Sequence, residues 1–109
     1  MEDKDKKLQE MQIVEQNLQN IIIQKQAFQM ELNEIDSASK ELEKSKGEVY
    51  KIVGQLMISK EKSEIKNELK EKEKIISSRI NALDKQEEIF SEKAEKLRKE
   101  FLKNAKTNS

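Results

Sequence analysis

Two long stretches repeat apolar residues at alternating spacings of three and four, and no proline interrupts either of them. From Met11 the pattern selects Met11, Val14, Leu18, Ile21, Lys25, Phe28, Leu32, Ile35, Ser39 and Leu42, eight of them apolar. From Leu69 it selects Leu69, Glu73, Ile76, Ile80, Leu83, Glu87, Phe90, Ala94, Leu97 and Phe101, again eight of ten. An apolar repeat averaging 3.5 residues is the seam of a coiled coil, and it cannot line one face of a strand. Each stretch predicts a helix of about 40 residues, or about 60 Å at 1.5 Å per residue, much longer than a compact domain of this length contains.

The composition agrees with helices that bury apolar groups along a line. Leu, Ile, Val and Phe make up 27 of the 109 residues, above the level of roughly 20% that marks disorder, and Ala, Glu, Lys, Leu and Arg make up 54, close to the half expected of coiled coils. Charged residues are 40% of the chain, so a core that fills a sphere is not expected. The chain has neither His nor Cys, which removes the imidazole base, the thiolate nucleophile, the disulfide and the usual zinc ligands. No cofactor or metal is expected. Carboxylate neighbours such as Glu71/Glu73 and Glu87/Glu88 do not converge on one pocket of a helix, so an enzyme is not expected either. Twenty-two positive charges balance 22 negative ones, and no basic arm, stacking set or zinc module accompanies them, which argues against nucleic acid. No run of 18 apolar residues exists to span a bilayer. Met1 to Lys7 is charged, unlike a signal peptide, so a cytoplasmic protein is expected.

Folding the two helices against each other explains the polar exceptions. If Leu42 faces Leu69 in an antiparallel arrangement, Met11 faces Phe101, Val14 faces Leu97, Leu18 faces Ala94, Ile21 faces Phe90, Phe28 faces Leu83, Leu32 faces Ile80 and Ile35 faces Ile76. In that register Lys25 meets Glu87 and Ser39 meets Glu73, so the four polar seam residues pair among themselves. A polar group set against an apolar one costs on the order of 1–3 kcal/mol when left unpaired. The expectation is an antiparallel intramolecular coiled coil whose polar layers fix its register. The alternative is that Lys25 and Glu87 simply reach to water.

The 26 residues between the seams differ in character. Ser45, Lys46 and Gly47 close the first helix, Gly47 being suited to the left-handed residue that follows a helix end. Val49-Tyr50-Lys51-Ile52-Val53 and Leu56-Met57-Ile58 flank Gly54-Gln55 and predict a β-hairpin turning near Gly54. Ser63, or else Ser59, is the expected N-cap of the second helix. The whole is a single domain with a first helix over 1–46, a hairpin over 47–60 and a second helix over 63–106. It is mainly α: a long antiparallel two-helix coiled coil joined by one β-hairpin. A lone two-stranded ribbon is marginal in water and its edges recruit other strands. Several copies or related chains are therefore expected to join their hairpins into a shared sheet or barrel, the alternative being a hairpin folded back on its own helices.

The string Val49-Tyr50-Lys51-Ile52-Val53-Gly54-Gln55-Leu56-Met57-Ile58 resembles the V-Y-K-x-x-G-x-L-[LM]-[IV] hairpin of prefoldin beta-class subunits, also called GimC. Gln24-Lys25-Gln26 with Leu32-Asn33-Glu34 is similar to the Q-K-Q…L-N-E run of their first helix. Arg79-Ile80-Asn81-Ala82-Leu83-Asp84-Lys85-Gln86-Glu87 is similar to a stretch of the second helix in archaeal examples. The resemblance spans roughly residues 8 to 105. It implies a hexamer of two alpha-class and four beta-class chains whose hairpins form a double β-barrel. It also implies capture of unfolded proteins at the coiled-coil tips without ATP, and their delivery to a group II chaperonin. The connector has room for one hairpin, as in a beta subunit.

The apolar residues near the two helix ends are the candidates for client contact: Leu8, Met11 and Val14 on the first helix, and Leu97, Phe101, Leu102 and Ala105 on the second. Leu8 and Leu102 lie off the seam and should remain free, whereas Met11 and Phe101 also have packing to do. Residues 91–109 carry an excess of three positive charges, most simply read as a solvated helical face. The competing function is a structural or tethering coiled coil that uses its hairpin only to oligomerise.

Overall fold

In the computed structural model, which describes residues 2–45, 49–53 and 56–107, two helices flank one hairpin. Helix α1 runs Glu2–Lys44, strands β1 and β2 run Val49–Val53 and Leu56–Lys60, and helix α2 runs Lys62–Thr107. Gly47 and Gly54 lie outside the described residues, as do the side chains of Ile52, Val53, Leu56–Ser59 and Ala105.

The helices are long because nothing in them breaks the hydrogen-bond ladder: the chain has no proline, and both its glycines fall between the helices. Helix α1 ends where Ser45 N–H donates to the Leu42 carbonyl at 3.2 Å, a bond to the third residue back that tightens the last turn. Helix α2 opens on Glu61, whose carbonyl accepts from the amides of Glu64 at 3.1 Å and Ile65 at 3.2 Å. The expected caps are corrected accordingly. Ser59 pairs with Tyr50 inside the hairpin and Ser63 lies within the first helical turn, so neither residue is free to take the non-helical backbone of a cap. Glu64 in that turn places a negative charge against the positive end of the helix dipole.

The strands are antiparallel, with Val49 opposite Lys60, Lys51 opposite Ile58 and Val53 opposite Leu56. The second strand extends two residues beyond Ile58, so Ser59 and Lys60 belong to it.

The chain forms two compact units. One comprises residues 1–26 and 81–109, the other residues 27–80. In each unit a segment of α1 runs antiparallel to a segment of α2. In the first, Lys7 pairs with Glu100 while Lys25 pairs with Asp84 and Glu87. In the second, Phe28 meets Arg79 while Glu43 pairs with Lys66.

The seam divides into two rows of unequal burial. Among the described residues the buried ones are Val14, Ile21, Ile35, Leu42, Ile76, Leu83 and Leu97, and all are seam positions separated by multiples of seven along their own helix. The interleaved row of Met11, Leu18, Lys25, Leu32 and Ser39 on α1 is half-buried throughout. Its α2 counterpart is half-buried at Ile80, Glu87, Ala94 and Phe101 and exposed at Glu73. All four polar seam residues stand in this wetter row. Their polar atoms keep access to water, which avoids the cost of burying an unpaired charge.

Candidate functional site

Three places carry the residues singled out by sequence: the polar layers, the ends of the helices, and the hairpin with its junction. At Lys25 the contact differs from a simple pair. Its Nζ lies 3.3 Å from Glu87 Oε2 and closer, 2.6 Å, to Asp84 Oδ1. Asp84 precedes Glu87 by three residues, so the two carboxylates project from one side of α2 one turn apart. Hydrogen bonding to Asp84, then to Glu87, raises the Lys25 pKa above its ordinary value. Asp84 lies off the seam and escaped the seam-based pairing, but its spacing from Glu87 is the signal that finds it. Ser39 and Glu73 line one shallow groove of about 410 Å³ together with Leu32 and Lys70. Among the described residues no hydrogen bond joins that pair.

Near the helix ends, Leu8 is 43% exposed and Leu102 48% exposed. Met11 and Phe101 are half-buried, and Val14 and Leu97 are buried at 2% and 6%. Ala105 lies in α2, its side chain outside the described residues. The seven candidates therefore separate into an outward pair, an intermediate pair and a packed pair, plus Ala105. Ile13, Ile22, Ile23 and Ile89 in the same unit are also largely exposed, and they stand off the 3,4 pattern, which does not reveal them. A half-open cavity of about 200 Å³ lies beside Leu18 and Ala94, where the small alanine fills less of the seam than its neighbours do. Arg98 and Glu95, 2.7 Å apart, border it. Their pairing lowers the Glu95 pKa and raises that of Arg98.

The hairpin emerges from a cluster of charges. Lys62, the first residue of α2, donates to the carbonyls of Glu43 and Ser45, each at 3.3 Å, and so satisfies oxygens left over at the end of α1. One turn on, Lys66 pairs with Glu43 at 2.7 Å and holds that carboxyl below its usual pKa. Glu68 then reaches both strands: Oε1 accepts from Lys60 at 2.6 Å and Oε2 from Lys51 at 3.0 Å. The hydrogen bond from Lys60 and next that from Lys51 hold the Glu68 carboxyl down to about 2. Val49 is half-buried and Tyr50 is exposed. Ile52, Val53, Leu56, Met57 and Ile58 occupy paired strand positions. The contacts of Lys51 and Lys60 depend on the angle at which the hairpin leaves the helices, and those of Lys62 and Lys66 on how the end of α1 meets the start of α2, so the sequence pattern reveals none of them.

This combination of paired helix segments and a single hairpin is shared with known proteins. The family described as prefoldin subunit matches residues 5–108. The chain belongs to the prefoldin family, in its beta class. It is 44% identical to prefoldin subunit beta of Thermococcus onnurineus over 85 residues, covering 76% of this chain and 73% of the relative. The corresponding subunit of Pyrococcus furiosus is 39% identical over 92 residues, covering 83% and 79%. The crystal structure of the prefoldin beta subunit from Thermococcus strain KS-1 superposes with a TM-score of 0.87 at 34% identity, covering 94% of this chain and 91% of that one. Prefoldins are chaperones that assemble from several subunits, and the family is not an enzymatic one. Among the described residues there is no cluster of three or more side chains suited to hold a metal ion, and no helix is long and apolar enough to cross a membrane.

Proposed function

We propose that this chain is the beta subunit of an ATP-independent cytoplasmic chaperone that holds unfolded proteins at its helix ends and passes them to a group II chaperonin. The observation that carries the reading is the placement of Leu8 and Leu102, large apolar side chains left exposed in the unit that contains residues 1–26 and 81–109, in a chain with the prefoldin fold. Exposed apolar groups of this kind bind other apolar chains by removing about 25 cal/mol per Å² from water, and they do so without choosing a sequence. Met11 and Phe101 add surface when the helix ends fray, whereas Val14 and Leu97 support the site by packing. Ala105 extends the apolar set on α2. A single site of this size is weak, so retention of a client requires several subunits to act at once.

Several subunits are brought together by the hairpin. Val49, Tyr50, Ile52, Val53, Gly54, Leu56, Met57 and Ile58 form the segment that joins those of neighbouring chains in a β-barrel body, two alpha-class and four beta-class chains completing a hexamer. Lys25, through Asp84 and Glu87, keeps the two helices in register where it stands, while Ser39 and Glu73 form the second polar layer without a bond between them. No nucleic acid, membrane or cofactor takes part.

The test is suppression of aggregation of a chemically denatured protein by the assembled complex in the absence of ATP. Removal of residues 1–8 and 102–109 is expected to reduce protection while the mass of the complex stays that of the remaining chains. A shortened complex that protects as well as the full one overturns the client site. An assembled complex that never protects identifies a tethering coiled coil instead.

A further inference from the structure

The two strands of the hairpin are held to the same carboxylate. Lys51 belongs to β1 and Lys60 to β2, and in the antiparallel register Lys51 stands opposite Ile58, two residues from Lys60. Residues two apart on a strand project to one face, so both lysines lie on the face of the hairpin that meets α2. Glu68 sits there with one oxygen on each lysine, at 2.6 Å and 3.0 Å. A carboxylate with one strand on each oxygen restrains the hairpin differently from a single ion pair. One contact leaves the ribbon free to pivot about it, whereas two contacts from separate strands fix its rotation. Glu68 lies seven residues into α2 and is itself held by an unbroken helix. The helix thereby sets the direction of the hairpin.

We infer that Glu68 is a positioning residue for assembly: by bridging Lys51 and Lys60 it orients the hairpin on α2 before the hairpin meets those of other subunits. The inference rests on the reading of the hairpin as the assembly element. Its effect is one of population. A subunit whose hairpin samples several directions presents the competent one only part of the time, and its apparent affinity falls by that fraction. If loss of the bridge lowers the competent fraction about threefold in each chain, an assembly that unites four such hairpins weakens by about 80-fold, because the fractions multiply.

Two readouts on the full chain test the inference. Hydrogen exchange of the isolated subunit is compared for wild type, Glu68→Gln and Glu68→Lys. The variants are expected to exchange at least threefold faster at strand amides 49–53 and 56–60, with the amides of residues 69–97 unchanged. Equal strand protection in Glu68→Lys overturns the inference, and this arm decides it even for a subunit that does not assemble. The second readout is the concentration at which the complex with its partner subunits dissociates, followed by sedimentation. Glu68→Lys is expected to raise it about two- to threefold, the 80-fold loss in the overall constant being spread over the association steps of the complex, with helical circular dichroism retained, and the triple change Glu68→Lys, Lys51→Glu, Lys60→Glu to bring it back toward wild type. Dissociation at the wild-type concentration in Glu68→Lys, or a triple variant as weak as the single one, overturns the positioning role. A wild-type chain that never assembles refutes the assembly reading alone.

Discussion

The unit built from residues 1–26 and 81–109 and the junction around residues 43–68 are held by different forces. In the first, Val14, Ile21, Leu83 and Leu97 are buried along the seam, and each contributes about 1.5–3 kcal/mol by leaving water. At the junction the specific contacts are made by charged side chains: Lys62 on two carbonyls, Lys66 on Glu43, and Glu68 on two lysines. Side chains in these ion pairs keep between 30% and 57% of their exposure, and partly exposed pairs add little stability and weaken with salt. What such contacts supply is direction. Apolar packing makes the helices persist, and charges decide how the hairpin leaves them.

The sharpest way to break this comparison is to substitute two residues that lie almost side by side. Ile21 is 4% exposed and Ile23 is 62% exposed. Ile21→Ala is expected to cost about 2–5 kcal/mol of unfolding free energy, through lost transfer and the cavity left behind. Ile23→Ala should fall within about 0.5 kcal/mol of wild type. Urea denaturation followed by circular dichroism checks both, and similar midpoints for the two variants would sink the division of the chain into a packed seam and an indifferent outer face.

The seam was legible because a 3.5-residue period is a property of the sequence alone. Among the described residues, every buried one from Val14 to Leu97 stands in the 3,4 pattern. The hairpin was legible for a similar reason, its β-branched run being interrupted at Gly54-Gln55. The pattern does not reveal that half the seam is wetter than the other half, since both rows read as apolar. It does not reveal Asp84 beside Lys25 or Glu68 beneath the strands, because contacts made by long flexible side chains depend on crossing geometry rather than on period. The start of α2 is hidden from the sequence for another physical reason. Serine is the better capping side chain, but the strand continues through Ser59 and Lys60 and leaves only Glu61 as a junction between strand and helix.

A second contrast separates stability from function inside one unit. Changing Leu8 and Leu102 together to serine removes two exposed apolar contacts and should leave the melting temperature of the chain unchanged. Client protection is expected to fall about tenfold per subunit, the equivalent of about 1.4 kcal/mol of lost apolar contact. The measurement is the molar ratio of complex to denatured protein needed to halve light scattering. An unchanged ratio would place the client elsewhere, with Ile13, Ile22, Ile23 and Ile89 as the next surface to substitute.

Lys25 tests the wetter row. Lys25→Glu sets three negative groups together and should lower the thermal midpoint by less than Ile21→Ala does. Because Lys25 touches Asp84 at 2.6 Å as well as Glu87, adding Glu87→Lys should recover only part of the loss. Recovery should be complete only when Asp84→Lys is added. Full recovery by the single exchange would reduce the arrangement to a pair and make Asp84 a bystander.

The smallest effect concerns pH, and it separates the junction from the packed seam most directly. Glu68 has its carboxyl held at about 2 in the folded chain, against an ordinary value of 4.5. A depressed carboxyl stabilises the state that depresses it. The contribution is therefore present in full above about pH 4.5 and is lost as the pH falls toward 2. Glu43 and Glu95, also depressed, are lost over the acid range as well, so acid weakens the whole chain, and the informative quantity is the difference between wild type and Glu68→Gln. Strand protection at residues 49–53 should differ between the two at pH 6 and converge by about pH 2, whereas protection at Leu83 and Leu97 should follow the same curve in both. Curves for the strand that run parallel from pH 6 to pH 2 would mean that the carboxylate charge does not hold the hairpin, and that its place on α2 is set by packing after all.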